Sequence, residues 1–174
     1  MFLKDKETLQ SERLSYRLIN KTDFQPLRVI LMDSSVTEPA GYLPLKTVEE
    51  FSSFFSGLQK NDCGIAVLLE NTTIGYFRVF EENMGDDERF AGKKCAGVGF
   101  VLGKAYHGKG YGTEMLTFLT PYIKKEFDYC FADAFIDNCA SNRVIVKSGY
   151  RYLEDYSMFF KHLDKEITSH SYVI

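Results

Sequence analysis

The hexapeptide His107-Gly108-Lys109-Gly110-Tyr111-Gly112 constrains the fold of this chain more than any other stretch. Before it runs Cys95 to Leu102, an apolar segment with the length and composition of a buried strand. After it, Tyr111, Met115, Phe118 and Tyr122 recur at helical spacing, as do Leu119 and Ile123, which predicts a helix from Tyr111 to Phe127. A strand that passes directly into a helix must turn sharply, and glycine makes the required backbone angles accessible. Without Cβ atoms in the way, several backbone N–H groups can also converge on one point, beside the partial positive charge of the helix amino terminus. That combination suits a phosphate or pyrophosphate; a plain tight connection is the competing explanation for the glycines taken by themselves.

The rest of the pattern sets the topology. After a polar lead-in or short helical arm over residues 1–11, Arg13 to Ile19 alternates as a first strand. Thr22 is placed to cap a helix from Asp23 to Asp33. Ser34 to Leu45 contains Pro39, Gly41 and Pro44 and reads as a loop. Thr47, followed by Glu49 and Glu50, opens a second helix bearing Phe51, Phe54, Phe55 and Leu58. Gly64 to Leu69 and Thr73 to Phe80 read as strands joined by a tight hairpin at Glu70-Asn71-Thr72. Beyond the glycine turn, Pro121 should bend or shorten the third helix by removing a donor and crowding Thr117. Tyr129 to Ile136 is a fifth strand and Ala140 to Lys147 the last helix, with a closing hairpin of Gly149 to Glu154 and Ser157 to His162. This order holds one parallel crossover, around the third helix. It predicts a mixed α/β (α+β) fold: a mostly antiparallel central sheet with helices on both faces. The consecutive strands from Gly64 to Leu102 argue against the parallel, doubly wound sheet of a generic nucleotide-binding protein.

With 45% apolar residues and 15 phenylalanines in 174 positions, the chain has the material for one core, and residues 1–174 are expected to form a single domain. A net charge of −3 argues against a nucleic-acid partner, which would require clustered Lys and Arg. No apolar run approaches the roughly 20 residues of a membrane span. The segment Met1 to Glu7 is charged and lacks the apolar core of a signal peptide, so a cytoplasmic setting without a membrane partner is expected. Cys63, Cys95, Cys130 and Cys139 show no paired metal-ligand spacing; buried free thiols are expected, and no metal. Glu81, Glu82, Asp86, Asp87 and Glu88 read as a solvated hairpin tip, a docking site for a basic partner being the alternative.

About a helix length beyond the glycine turn lies Asn138-Cys139-Ala140-Ser141-Asn142-Arg143-Val144-Ile145-Val146-Lys147-Ser148-Gly149-Tyr150. Together with the turn it resembles the closing motif of the GNAT superfamily, the acyl-CoA-dependent N-acyltransferases. It is most similar to the RimJ/RimL-like branch, typified by enzymes that acetylate ribosomal-protein amino termini. That branch usually shows Asn-x-x-Ser-x-Arg-Val-x-x-Lys-x-Gly-Phe, matched here by Asn138, Ser141, Arg143, Val144, Lys147, Gly149 and Tyr150. Glu12-Arg13-Leu14-Ser15-Tyr16-Arg17-Leu18 resembles its Glu-Arg-Leu-x-Leu-Arg first strand, and His107 to Gly112 falls on the signature Arg/Gln-x-x-Gly-x-Gly/Ala, followed by Thr113-Glu114. The resemblance runs from Glu12 to about Leu163.

The resemblance implies a single acyl-CoA N-acyltransferase domain that uses acetyl-CoA as co-substrate. The coenzyme would be held by Val101, Leu102, His107, Gly108, Lys109, Gly110, Tyr111, Gly112 and Thr113 and, from the closing motif, by Asn138, Ser141, Arg143 and Lys147. Asn138 is equally a helix cap, and Arg143 and Lys147 equally solvent-facing helix positions. In the superfamily the strands before and after the turn splay apart to admit the pantetheine arm, and Gly97 and Gly99 fit the backbone irregularity expected there, or serve merely as packing glycines. The catalytic candidates are Ser141, beside the coenzyme sulfur, and the backbone N–H of Phe100 (or Val101), which would polarise the thioester carbonyl.

Two positions depart from the family pattern. His107 replaces Arg or Gln. Gly97 replaces the glutamate of Ala-Glu-Ile-Gly-Tyr that often serves as general base. Glu81, Glu82 and Asp133 are possible substitutes, each also explicable as a surface charge; solvent removal of the amine proton is then the expectation. The implied activity is direct transfer of acetyl to a primary amine, either a small molecule or a protein amino terminus, by a monomer or homodimer. The alternative is an acyl-CoA-binding sensor or partner module with little catalysis, which Gly97 favours. The loop Ser34 to Leu45 and the region Tyr152 to Tyr156 would shape the acceptor pocket.

Overall fold

In the computed structural model, residue 3 and residues 7–41, 45–60, 64–85, 87–161 and 164–174 are described. Their elements run β1 (Leu9–Gln10), β2 (Leu14–Leu18), α1 (Phe24–Leu31), α2 (Ser34–Thr37), α3 (Val48–Gln59), β3 (Gly64–Leu69) and β4 (Thr72–Glu82). They continue with β5 (Cys95–Leu102), α4 (Tyr111–Ile123), β6 (Tyr129–Phe135), α5 (Cys139–Lys147), β7 (Arg151–Phe160) and β8 (Lys165–Val173). The strands form an eight-stranded sheet of order β1-β2-β3-β4-β5-β6-β8-β7. Only β5 and β6 pair in parallel, across the α4 crossover. This is the mixed, mostly antiparallel fold class that the order of elements predicted.

The alternation of side chains divides the core in two. From β3, Ile65 and Val67 join Met115, Leu116 and Leu119 of α4 and Ile145 of α5 on one face. Ala66 and Leu68 point the other way, toward Leu27, Ile30 and Leu31 of α1 and Phe51, Phe55 and Leu58 of α3. Burial on both faces explains why β3 reads as an unbroken apolar run. The hairpin between β3 and β4 closes as expected: Glu70 and Asn71 take φ of 48° and 68°, the paired left-handed angles of a two-residue turn that follows strand twist.

Several boundaries differ from the sequence expectation. The cap is Asn20, two residues before Thr22, and it opens a tight 3-10 turn, Lys21–Asp23, that leads into α1; its side chain accepts from Thr22 N–H while the Asp23 side chain accepts from the Asn20 backbone N–H. Asp23 is buried and satisfied by Arg17 and the Thr73 hydroxyl, at 2.6 Å each. The loop after α1 is partly helical: Asp33 caps α2, and Glu38–Ala40 adds one tight turn; Pro44 lies outside the described residues. Thr47 and Glu50 form the reciprocal cap that opens α3. Pro121 is tolerated inside α4, which ends two residues later at Ile123 rather than at Phe127. Residues 9 and 10 belong to a strand rather than an arm, paired with Tyr16 and Ser15. Phe90, in the acidic connection, is buried against Cys95 and Phe131, so that connection is anchored to the sheet; Asp86 lies outside the described residues. Cys95 and Cys130 are buried, burial pushing the Cys130 thiol up to about 11, but Cys139 is exposed; Cys63 lies outside the described residues.

The largest difference is at the carboxyl-terminal end. In place of the expected hairpin of Gly149–Glu154 and Ser157–His162, Arg151–Phe160 is one long strand, β7, and its partner is β8, which inserts between β6 and β7; His162 lies outside the described residues. Ile167, Thr168, Tyr172 and Val173 are good strand formers, but only pairing with β6, far earlier in the chain, secures them. Gly97 and Gly99 flank Val98, where β5 parts from β6 as expected, although β5 carries no bulge against β4. The β4–β5 register runs unshifted from Glu82↔Cys95 to Gly75↔Leu102, and the register shift falls between Val67 and Leu68. The irregularity of β5 is on its other side, where pairing with β6 stops at Val98↔Ala132.

Candidate active site

The glycine turn requires glycine at two places. Gly108 and Gly110 hold φ of +75° and +83°, a left-handed backbone costly for other residues. Gly110 is also the residue before α4 and supplies no capping side chain. The first intrahelical bond is Glu114 N–H to Gly110 O at 3.0 Å, so the N–H groups of Tyr111, Gly112 and Thr113 project from the helix end. Gly112 is needed for packing, since a Cβ there would meet Val144 at 3.2 Å.

The turn is held from the distant connection between β1 and β2. The Arg13 guanidinium donates to Glu114 Oε2 at 2.7 Å and to the Lys109 carbonyl at 3.1 Å, and lies 4.6 Å from the Tyr111 ring. The Ser11 hydroxyl and the Arg13 backbone N–H each donate to Glu114 Oε1 at 2.7 Å. Burial opposes ionisation of Glu114, but these hydrogen bonds outweigh it and hold the carboxyl below its usual range. From inside, His107 Nε2 lies 2.8 Å from the Leu102 carbonyl, which requires a proton on Nε2 and ties the turn to the end of β5.

Beyond Val98↔Ala132, β5 and β6 part and a cleft opens between them. Its outer half, about 440 Å³, is lined by Val101, Leu102, His107, Gly108, Gly110 and Tyr111, by Gly112 and Thr113, and by Arg143 and Lys147 of α5. The site residues expected from the sequence thus gather in one place, with the exception of Lys109. That side chain turns outward, 5.9 Å from the Tyr106 ring, and its carbonyl serves Arg13. Arg143 and Lys147 are exposed and form no ion pair among the described residues.

An inner half, about 210 Å³, continues the cleft across the sheet. Pro39, Ala40, Phe100, Asn138 and Ser141 line both halves and mark their junction. Asn138 is the cap of α5: its Oδ1 accepts from Ser141 N–H at 3.1 Å, and its Nδ2 donates to the Pro39 carbonyl at 2.8 Å, pinning the roof of the cleft. The Ser141 hydroxyl is half-buried and has no partner among the described residues. Backbone alternation separates the two oxyanion candidates. Gly103 N–H bonds Ile74 O on β4, so Val101 N–H faces β4 too, while Phe100 N–H faces the flank from which β6 has parted.

The inner half is where sequence reasoning was least complete. A Cβ on Gly97 would stand 2.3 Å from the Phe80 ring and 2.6 Å from Glu82 Oε2. The space of a side chain at position 97 is therefore filled from β4, and the carboxylate over β5 is that of Glu82. Asp133 of β6 faces the same recess, accepting from the Tyr156 hydroxyl at 3.0 Å. Burial raises the Glu82 carboxyl above its usual range, with a smaller push from the charge on Asp133. Burial raises Asp133 as well, against hydrogen bonds from Ser171 and Tyr156. Glu81 is exposed and lines neither half. The expected contributors Pro39, Ala40 and Tyr156 are present, whereas Tyr152 packs with His170 and Tyr172 elsewhere. Arg78, Phe135, Phe160 and Ser169 were not foreseen. For Arg78 the available signal was an arginine between Phe77 and Val79, in register with Tyr76, Phe80 and Glu82.

Among the described residues, no group of three or more His, Cys, Asp or Glu is placed to hold a metal ion, and no helix is long and apolar enough to cross a membrane. Comparison with known proteins places this geometry. The family model for the Acetyltransferase (GNAT) domain matches residues 13–151. A GNAT-family acetyltransferase from Bacillus anthracis superposes with a TM-score of 0.78 at 21% identity, covering 97% of this chain and 98% of that one. A Vibrio cholerae protein described as a candidate ribosomal-protein-serine acetyltransferase gives 0.72 at 16% identity, with 99% of each chain covered. A Salmonella typhimurium protein solved with acetyl-CoA as its cofactor gives 0.69 at 15% identity over 94% of each chain. A search of curated proteins finds no match.

Proposed function

Because the chain belongs to the GNAT acetyltransferase family, we propose that it is an N-acetyltransferase that moves an acetyl group from acetyl-CoA directly to a primary amine, both substrates being bound in the one cleft. The observation that carries this reading is the junction at Ser141 and Phe100. There a cleft half suited to an anion opens into a half that holds two carboxylates. The fit to the coenzyme rests on the left-handed glycines and the uncapped start of α4, whose N–H groups are free to meet an anion. The neighbour solved with acetyl-CoA supports the same choice.

Acetyl-CoA supplies an acetyl group already activated as a thioester. The N–H groups around Gly108 to Gly112 bind its pyrophosphate, and Arg143 and Lys147 add cations at the mouth. Phe100 N–H donates to the acyl oxygen as negative charge builds on it. Glu82, the carboxylate over Gly97 without a hydrogen-bond partner among the described residues, takes the proton from the acceptor ammonium, directly or through water. Ser141 donates a hydrogen bond to the departing sulfur. Burial, with a smaller push from the charge on Asp133, keeps the proton affinity of Glu82 above that of an ordinary carboxylate, which strengthens it as a base. This assignment replaces solvent deprotonation, the expectation from Gly97 alone, and it removes the feature that favoured a non-catalytic sensor.

Thiol release from acetyl-CoA, measured across a panel of small amines and short peptides, tests the proposal. Acceleration by at least one amine is expected. Tight acetyl-CoA binding without acceleration by any amine would move the assignment to the binding module.

A further inference from the structure

We propose that the acceptor is a compact amine that also carries a carboxylate, and that Arg78 binds this carboxylate. The inference rests on the N-acetyltransferase reading above and names the substrate class of the same site. Arg78 is half-buried on β4 and lines the inner half only. Its guanidinium carbon lies 5.0 Å from the centre of the Phe80 ring, and its Nε is buried without a hydrogen-bond partner among the described residues. No carboxylate pairs with it there: Glu114 is taken by Arg13, Asp23 by Arg17, and Asp87 and Glu154 by Arg89. An arginine that merely braced a strand would spend its donors on carbonyls or carboxylates of the protein. A buried donor left unanswered, as Nε is here, is costly, and an incoming carboxylate would meet the guanidinium with two parallel N–H···O bonds.

The neighbouring glycine supports the assignment. A Cβ on Gly99 would lie 3.0 Å from Arg78 Nε, so glycine lets the guanidinium lie flat across β5. Gly99 directly precedes Phe100, whose N–H faces the transfer point. The bound carboxylate therefore sits close to the reacting amine, and the two groups are separated by only a few bonds. Glu82 stands over Gly97, two residues along β5 from the Gly99 that Arg78 crosses. A volume of about 210 Å³ suits such a small acceptor, with Phe131, Phe135 and Phe160 as apolar walls.

The test is a set of matched pairs, each free amino acid against its own carboxamide, with kcat/KM read from thiol release. The carboxamide has the less basic amine and is the intrinsically readier nucleophile at neutral pH, so a preference for the free acid reports recognition. For the preferred amino acid, the parent protein should favour the carboxylate by about tenfold or more. Arg78→Gln should bring that ratio to one or below, and Arg78→Lys should hold it between. If the parent prefers the carboxamides, or Arg78→Gln leaves the ratio unchanged while acetyl-CoA affinity and melting temperature match the parent, the inference is overturned. Should Arg78→Gln not fold, the parent ratio decides alone. Thiol release by amines without any carboxylate preference sinks this inference and leaves the N-acetyltransferase reading standing; release by none sinks both.

Discussion

At the scale of single residues, the site turns on which side chain occupies the space over position 97. The sequence showed that a glutamate common in relatives is absent there. It did not show that Phe80 and Glu82 of the adjacent strand lie within 2.3 Å and 2.6 Å of where a Cβ would be. Glu82→Gln should therefore lower kcat on the order of a hundredfold while acetyl-CoA affinity stays as in the parent. The sign of the pH effect follows from the raised carboxyl. Burial and Asp133 favour the protonated form, so the base is lost as pH falls through a value above the ordinary glutamate range near 4.3. The acid limb of kcat should carry that apparent pKa in the parent and vanish in Glu82→Gln, whose rate would follow the free-amine fraction of the acceptor. A variant retaining most of the parent rate would restore solvent as the proton acceptor. Ser141→Ala should lower kcat about ten- to a hundredfold with little change in coenzyme affinity, because a hydrogen bond to a charged group is worth about 1.5–3 kcal/mol. Calorimetry beside steady-state kinetics separates the two, and an unchanged kcat would leave Ser141 with the first turn of α5 only.

At the scale of elements, the strand–turn–helix unit from β5 to α4 was legible because its demands are local. Left-handed angles at Gly108 and Gly110, like the cap that Asn138 places on α5, depend on individual residue types and near neighbours. The lock between Arg13 and Glu114 was only half legible. Both residues sit in motifs the sequence displays, but they are 101 positions apart and only the fold joins them. Gly110→Val should leave the protein folded, at a backbone cost of about 1–2 kcal/mol, and should abolish measurable acetyl-CoA binding by closing the anion cradle. Unchanged affinity in a calorimetric titration would show that the turn does not hold the pyrophosphate. Elements with weak local signals were misplaced for physical reasons. α2 spans only Ser34–Thr37, too short for periodicity to register. The cap expected at Thr22 is made instead by Asn20, through its reciprocal bonds with Asp23.

At the scale of the whole molecule, one strand completes the sheet beside the inner half of the cleft. β8 pairs with β6 through Phe131↔Val173 to Phe135↔Ser169 and with β7 along its length, and Ser169 lines the inner half of the cleft. A chain ending at Asp164 should lose both ladders, show no cooperative melting transition by circular dichroism and fail to bind acetyl-CoA; a cooperative melt near that of the full chain would show that β8 is dispensable. The sequence by itself determined the layered class of the fold, the parallel crossover, the glycine turn and the start of α5. Each of these follows from apolar periodicity or from the backbone freedom and capping chemistry of a few consecutive residues. Tertiary structure alone decided the insertion of β8 between β6 and β7, the carboxylate standing over Gly97, and the isolation of Arg78 above Gly99. Those arrangements depend on the register between strands and on side chains reaching across it, and a register is settled only when distant segments pack together.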